Sequence, residues 1–494
     1  MNEYKENCIS ELIELRDVLK EPYDDMIHKL VSSDNINLLF QAFCGIGKSR
    51  VLYKTLFDTL YQLNVIVFPS LALLEQFIYD YIDNREYGFG ILNDQSYNIS
   101  VICSTKEIKK KKLPIQCTTK LKDIINILNS TKRNIICITY QSYPNLMNAL
   151  NKINKNIDLV LFDEAHNSIG NEIHEYIYIK PYFDRAIFFT ATPKNNNNIT
   201  MFDIDSPENN MCGERIANVS YLDGLFHNIL NDVQIQAGII KYGDEVSNTI
   251  NIYKAIIRNI LITGNNRVLT YHSFSNSQNN TEDTEGNEDS EDIYDHQESI
   301  YYKSNVTDFV DEKLFKNTFK EVLKEKEYSQ FCGKYKKIIM KGIIANTRNR
   351  NYYFKQFEDT PNDEIYIISS CQVIKEGIDT KNANHVVFVD SKGSISIITQ
   401  NIGRVVRKTN KTLRPSTITI PCLIDYDKYK ILGDELTQDD YIRKSITEYD
   451  DFNTILNVIT AIHQEDEEFY KMCLIYPQKH FKSEIERNIL ANNL

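Results

Sequence analysis

Ala42-Phe43-Cys44-Gly45-Ile46-Gly47-Lys48-Ser49 ends in the Gly-Lys-Ser of a phosphate-binding loop. It follows the apolar stretch Ile36-Asn37-Leu38-Leu39-Phe40 and precedes a helix-forming run over residues 51–60. That strand–loop–helix order aims successive backbone N–H groups and a helix N-terminus at a nucleotide's phosphates. Ala42, Cys44, Gly45, Ile46 and Gly47 would form the cradle. Lys48 would reach the β- and γ-phosphates, and the Ser49 hydroxyl would hold Mg²⁺. The usual first glycine is Ala42 here, the one irregularity. Cys44 reads first as a small residue filling the loop; its place beside a helix N-terminus and Lys48 also allows a reactive thiolate that bound nucleotide would shield.

A second motif supports the first. Ile157-Asp158-Leu159-Val160-Leu161-Phe162 is a continuous apolar run, as expected for a parallel strand buried on both faces. It ends in Asp163-Glu164-Ala165-His166. A carboxylate at such a strand tip can hold the metal, and the next can orient an attacking water.

With these in place the chain resembles the superfamily 2 helicases and translocases. Phe68-Pro69-Ser70-Leu71, Ile138-Thr139-Tyr140-Gln141-Ser142 and Phe188-Phe189-Thr190-Ala191-Thr192-Pro193 are similar to successive motifs of that superfamily. So are Val268-Leu269-Thr270-Tyr271-His272, then Ser369-Ser370 with Glu376-Gly377-Ile378-Asp379. Gln400-Asn401-Ile402-Gly403-Arg404-Val405-Val406-Arg407 matches its last motif, Q-x-x-G-R-x-x-R. The D-E-A-H spelling also occurs in RNA helicases with large C-terminal extensions, and the stretch after Arg407 is short for those. Ser220-Tyr221-Leu222-Asp223-Gly224-Leu225 and Ile229-Leu230-Asn231-Asp232-Val233 look instead like the hinge of restriction-enzyme-type (ResIII-like) helicases, which include compact helicases of large DNA viruses.

The resemblance implies an α/β fold of two tandem RecA-like domains, parallel sheets flanked by helices, with a short helical C-terminal tail. The expected division is an N-terminal lead at 1–20, a first RecA-like domain at 21–193 and a linker at 194–231. A second RecA-like domain at 232–426 and a tail at 427–494 complete it. It also implies ATP hydrolysis between the domains, coupled to movement along a strand, with DNA favoured over RNA. Lys48, Asp163, Glu164, Gln400, Arg404 and Arg407 would be catalytic, the two arginines as arginine fingers. Gly377 and Asp379 would touch the nucleotide. His166, Thr190 and Thr192 would couple hydrolysis to motion. Pro69, Thr139, Ser369 and Ser370 would contact the nucleic-acid backbone. The family's adenine-sensing Gln is matched by Asp24 in Leu19-Lys20-Glu21-Pro22-Tyr23-Asp24, and an ionised Asp only accepts hydrogen bonds. A duplex translocase without strand separation, an RNA helicase and a non-catalytic binding subunit remain alternatives.

Composition suits an intracellular protein. At 494 residues the chain exceeds a single core. No charged-then-apolar leader and no apolar run long enough for a membrane span are visible. The ten cysteines include no C-x-x-C pair, so no zinc or redox motif is expected, and a reducing compartment fits. The net charge of −12 is unevenly spread. Nine acids between Thr281 and Glu298, with no Lys or Arg among them, account for all but −3 of it. They mark a disordered insertion at about 274–300, read as a solvated spacer or as an electrostatic mimic of nucleic acid. The basic run Lys106 to Lys112 could feed a DNA track or be a solvated face. Protein partners are not readable from the sequence.

Overall fold

The computed structural model describes residues 13–83, 91, 94–103, 115–169, 173–193, 200–203, 210–241, 243–272, 305–344, 347–371, 380, 382–389, 395–409, 414–424, 458 and 462. The chain divides into two compact units, the first ending at His227 and the second beginning at Asn228.

The first unit is built on eight strands: β1 (Ile36–Ala42), β2 (Leu63–Phe68), β3 (Tyr97–Ile102), β4 (Gln116–Thr118), β5 (Arg133–Thr139), β6 (Leu159–Phe162), β7 (Arg185–Thr190) and β8 (Glu214–Val219). They lie in the order β4-β3-β5-β2-β6-β7-β1-β8, and every pairing is parallel. β2, β5, β6 and β7 are buried along their whole length, which is why they read as unbroken apolar runs. From β1 the chain passes to β2 across the positions of β7 and β6. Open parallel sheets bind ligands beyond the carboxyl ends of such strands.

Helix α1 (Asp17–Ser32) packs on this sheet through Leu19, Tyr23, Met26 and Leu30, one apolar stripe at helical spacing. Pro22 lies inside it. The expected lead at 1–20 is therefore divided, because α1 starts at Asp17 and belongs to the first unit. The expected linker at 194–231 is also corrected. Residues 214–219 form β8, paired with β1 from Leu38 to Ala42. Gly213 permits that approach: a Cβ there would sit 2.0 Å from the Asn37 carbonyl oxygen. The short helix Tyr221–Phe226 follows, closed by a capping box between Ser220 and Asp223.

The second unit carries β9 (Val233–Lys241), β10 (Arg267–Tyr271), β11 (Lys337–Ile343), β12 (Glu364–Ser370), β13 (His385–Phe388) and β14 (Ser416–Ile424). Their order is β11-β12-β10-β13-β14-β9, again parallel at every pairing. The helix Glu245–Thr263 buries Ile252, Tyr253, Ile256, Ile257 and Ile260 against this sheet, with Phe309, Phe315 and Phe319. Two α/β units with parallel sheets and flanking helices are the tandem RecA-like architecture. The acidic insertion and the basic run at 106–112 lie outside the described residues. So does the tail, apart from Val458 and Ile462, both buried. Among the described residues no helix is long and apolar enough to cross a membrane.

Candidate nucleotide site

The loop after β1 is shaped by its glycines. Gly45 and Gly47 adopt φ of 86° and 122°, conformations that side chains resist. Ala42 is not among the positive-φ residues and pairs with Val219 as the last residue of β1. Strand geometry needs no glycine there, which explains the departure from the motif. Phe43 continues the edge: its N–H donates to the Val219 carbonyl at 2.9 Å, and its ring meets Tyr221 at 5.4 Å. Helix α2 (Lys48–Asp58) begins at the last loop position, so its N-terminus faces the loop. The buried Lys48 Nζ donates to the Ala42 carbonyl at 2.9 Å, while Ser49 is exposed. Cys44 is buried, as suits a small residue filling the loop; Cys332 is the exposed free cysteine among the described residues.

Two strands away, β6 delivers Asp163 and Glu164. The Asp163 N–H donates to the Val67 carbonyl at 2.9 Å, and Tyr140 donates its hydroxyl to the Asp163 carbonyl at 3.0 Å. Burial, and after it the Glu164 carboxylate, push the Asp163 carboxyl up to about 7, with the Lys48 ammonium opposing. Asp163 thus feels both Glu164 and Lys48, although Lys48 lies 115 positions earlier in the sequence. Glu164 has φ of 46°, a left-handed backbone rare for a residue with a side chain.

His166 joins this group to β7. Its Nδ1 lies 3.2 Å from the Thr190 hydroxyl and 3.6 Å from Glu164 Oε2. The Thr190 hydroxyl donates to the Thr192 carbonyl at 2.7 Å and accepts from the Thr192 N–H at 3.1 Å. With its proton committed to Thr192, Thr190 can only accept from His166, which places the imidazole proton on Nδ1. Nε2 then accepts from Asn167 at 3.3 Å. Burial lowers the His166 pKa, in keeping with a neutral ring.

The remaining expected residues fall as follows. Gln400 and Arg404 sit one turn apart on the helix Ile395–Val405 of the second unit, Arg404 buried and Gln400 half-buried. Arg404 is near enough to Tyr271 to lower the pKa of its phenol, against the larger upward push of burial. Arg407 is half-buried, its backbone bridged to Leu230. Gly377 and Asp379 lie outside the described residues. The four residues expected to contact a nucleic-acid backbone differ in exposure. Ser369 and Ser370 are fully buried, and the Ser369 hydroxyl accepts from Thr270 at 2.8 Å. Thr139 is also buried, its hydroxyl spent on Ser142 at 3.3 Å. Only Pro69 of the four keeps partial exposure. Asp24 is exposed on α1. The motifs gave no sign of Arg16, which donates to the loop carbonyls of Gly45 and Ile46.

Residues 1–195 match the family of type III restriction enzyme res subunits, and residues 299–409 match the helicase conserved C-terminal domain. Together the two matches make the chain similar to the superfamily 2 helicases. The chain is 23% identical over 447 residues to a protein named "Probable helicase A859L" of African swine fever virus. The match covers 88% of this chain and 42% of the viral protein, so the chain spans less than half the length of the curated relatives it matches. In fold, the chain is similar to the ATP-dependent type ISP restriction-modification enzyme LlaBIII bound to DNA, with a TM-score of 0.64 at 16% identity. That likeness covers 92% of this chain and 30% of the other. A nuclease-deletion mutant of the type ISP enzyme LlaGI, in complex with a DNA substrate mimic, aligns with a TM-score of 0.57 at 17% identity over 92% of this chain and 29% of the other.

Proposed function

We propose that this chain hydrolyses ATP at residues 42–49, 163 and 164 and uses the cycle to move along DNA. What carries the reading is that Lys48, at the end of the loop after β1, acts on Asp163, which with Glu164 follows β6 two strands away, and that His166 joins these acids to Thr190 at the end of β7 and to the turn at Thr192. The donor set suits Mg-ATP. Gly45 and Gly47 leave room for backbone N–H groups to face phosphate oxygens, and the exposed Ser49 hydroxyl stands at the start of α2. The Asp163 carboxyl is costly to ionise where it sits, which a divalent cation beside it would offset. Bound Mg²⁺ would offset phosphate charge and be held by Ser49 and Asp163. Lys48 would grip the phosphates, and Glu164 would take up the proton of the attacking water. Arg404 and Arg407, with Gln400, would complete the charge around the γ-phosphate in the active state. Glu164 feels the state of the bound phosphate and touches His166, so a change there reaches the turn at Thr190 and Thr192. DNA is proposed over RNA because the restriction enzymes that share the fold are seen with DNA.

An ATPase titration with single-stranded DNA, duplex DNA and RNA as activators tests this. DNA should stimulate hydrolysis more than RNA; stimulation by RNA alone would sink the substrate assignment. Lys48→Ala and Glu164→Gln should both abolish hydrolysis, with nucleotide affinity lost only in the first. Equal loss of affinity in both variants would refute the separate roles.

A further inference from the structure

The segment ahead of α1 is fastened to the loop after β1 from both directions. Arg16 donates from Nη1 to the Gly45 carbonyl at 2.6 Å and to the Ile46 carbonyl at 2.8 Å. Arg50, near the start of α2, returns a bond from its own Nη1 to the Glu14 carbonyl at 3.2 Å. Leu19, fully buried, comes so near that a Cβ on Gly47 would stand 3.3 Å from its Cδ1. The three hydrogen bonds span 29 to 36 residues of sequence.

In a phosphate-cradling loop the N–H groups point at the anion, so the carbonyls of the same peptides point away from it. The Gly45 carbonyl shares its peptide with the Ile46 N–H, and the Ile46 carbonyl shares its peptide with the Gly47 N–H. A guanidinium on those two oxygens fixes both peptide planes. It also polarises them, and a polarised peptide is a stronger donor. The Ile46 N–H here makes a long bond to the Phe43 carbonyl, 3.3 Å, which a phosphate oxygen would replace.

We propose that Arg16 is a positioning residue for triphosphate binding: it holds the Gly45–Ile46 and Ile46–Gly47 peptides with their N–H groups toward the phosphates. This rests on residues 42–49 being the phosphate loop. Arg16 acts from behind the loop and touches neither base nor phosphate, so its effect is blind to the base. A lysine, whose ammonium is more strongly hydrated and sits on a shorter, more flexible stem, replaces it only in part.

The experiment measures affinities of the full chain for Mg-ATP, Mg-GTP and inorganic tripolyphosphate, in wild type, Arg16→Gln, Arg16→Lys and Lys48→Ala. Arg16→Gln should weaken all three ligands by the same factor, on the order of 10-fold for a charge-assisted hydrogen bond. Arg16→Lys should fall between that variant and wild type. In ATP hydrolysis KM should rise by the same factor with kcat nearly unchanged, as for loss of uniform binding. If Lys48→Ala weakens binding and neither Arg16 variant does, the proposal is overturned. A loss confined to ATP also overturns it, since Arg16 would then read adenine. Should Arg16→Gln fail to fold, Arg16→Lys decides by the same comparison. Wild-type affinity in Lys48→Ala would instead remove the phosphate-loop reading itself.

Discussion

Replacing Thr190 by Val keeps the volume and removes one hydroxyl, so it isolates the link between Glu164 and β7. Thr190 is fully buried, and its hydroxyl takes part in three hydrogen bonds: to the Thr192 carbonyl, from the Thr192 N–H and from His166. His166 Nδ1 retains Glu164 Oε2 at 3.6 Å, so its loss is the smallest of the three. At about 1 kcal/mol or more per buried bond, Thr190→Val should cost about 2–4 kcal/mol. That is a large share of the roughly 5–15 kcal/mol that holds a typical domain. Denaturant unfolding followed through the first unit reads it as a lower midpoint at unchanged slope. Function should be affected unevenly. Mg-ATP affinity depends on the loop at β1 and should hold, while DNA-stimulated turnover should drop by several-fold, because the turn at Thr190 and Thr192 no longer follows His166. A stability loss below about 0.5 kcal/mol would show that these bonds are dispensable. Undiminished DNA stimulation would refute the coupling role.

Arg404→Ala should cut ATP turnover by roughly 10³-fold, the scale of arginine fingers in phosphoryl transfer, with nucleotide affinity little changed in a direct binding assay. Unaltered turnover would take the second unit out of the chemistry. Burial pushes His272 and His385 down to about 3 from an ordinary 6.5, so both stay neutral in the folded chain. The unfolded chain binds more protons between those values, and stability falls as pH drops through that window, by about 1.4 kcal/mol per histidine at pH 5.5. Relative to His272→Gln with His385→Gln, the wild-type melting temperature should fall between pH 7.5 and 5, a difference in which the opposite contribution of Asp163, present in both chains, cancels. Pulse alkylation with a maleimide and peptide mapping should label the exposed Cys332 before the buried Cys44. The reverse order would mean that the loop at 42–49 opens readily.

The sequence exposed those parts of the fold in which local chemistry dictates spacing. A strand buried on both faces leaves an apolar run, and β2, β5, β6 and β7 could be read on that ground alone. Triphosphate binding demands glycine where φ is positive, and Gly45 and Gly47 carry that demand. β8 was missed because its Glu-Arg-Ile-Ala-Asn-Val mixes exposed and buried positions and follows a stretch rich in Asn, Asp and Pro. Its place in the sheet depends on Gly213 passing close to Asn37, a contact that no local pattern encodes.

The candidate site shows the same limit at the level of single side chains. A motif fixes how far along a strand a hydroxyl sits, but not whether the surrounding chain leaves it facing water. Ser369 occupies the motif's position on β12 and is nonetheless turned onto Thr270, in register across the sheet. Thr190 is hidden as well, and there burial suits the assigned role, since a link between His166 and the Thr192 backbone works best when water cannot compete for its hydrogen bonds. Equal burial therefore sets different requirements: a strand contact at Ser369 would need its hydroxyl released from Thr270, whereas coupling at Thr190 would need its hydroxyl held. Arg16 is the converse case: an exposed residue outside every motif whose two short bonds land on the peptides that a triphosphate would need held still.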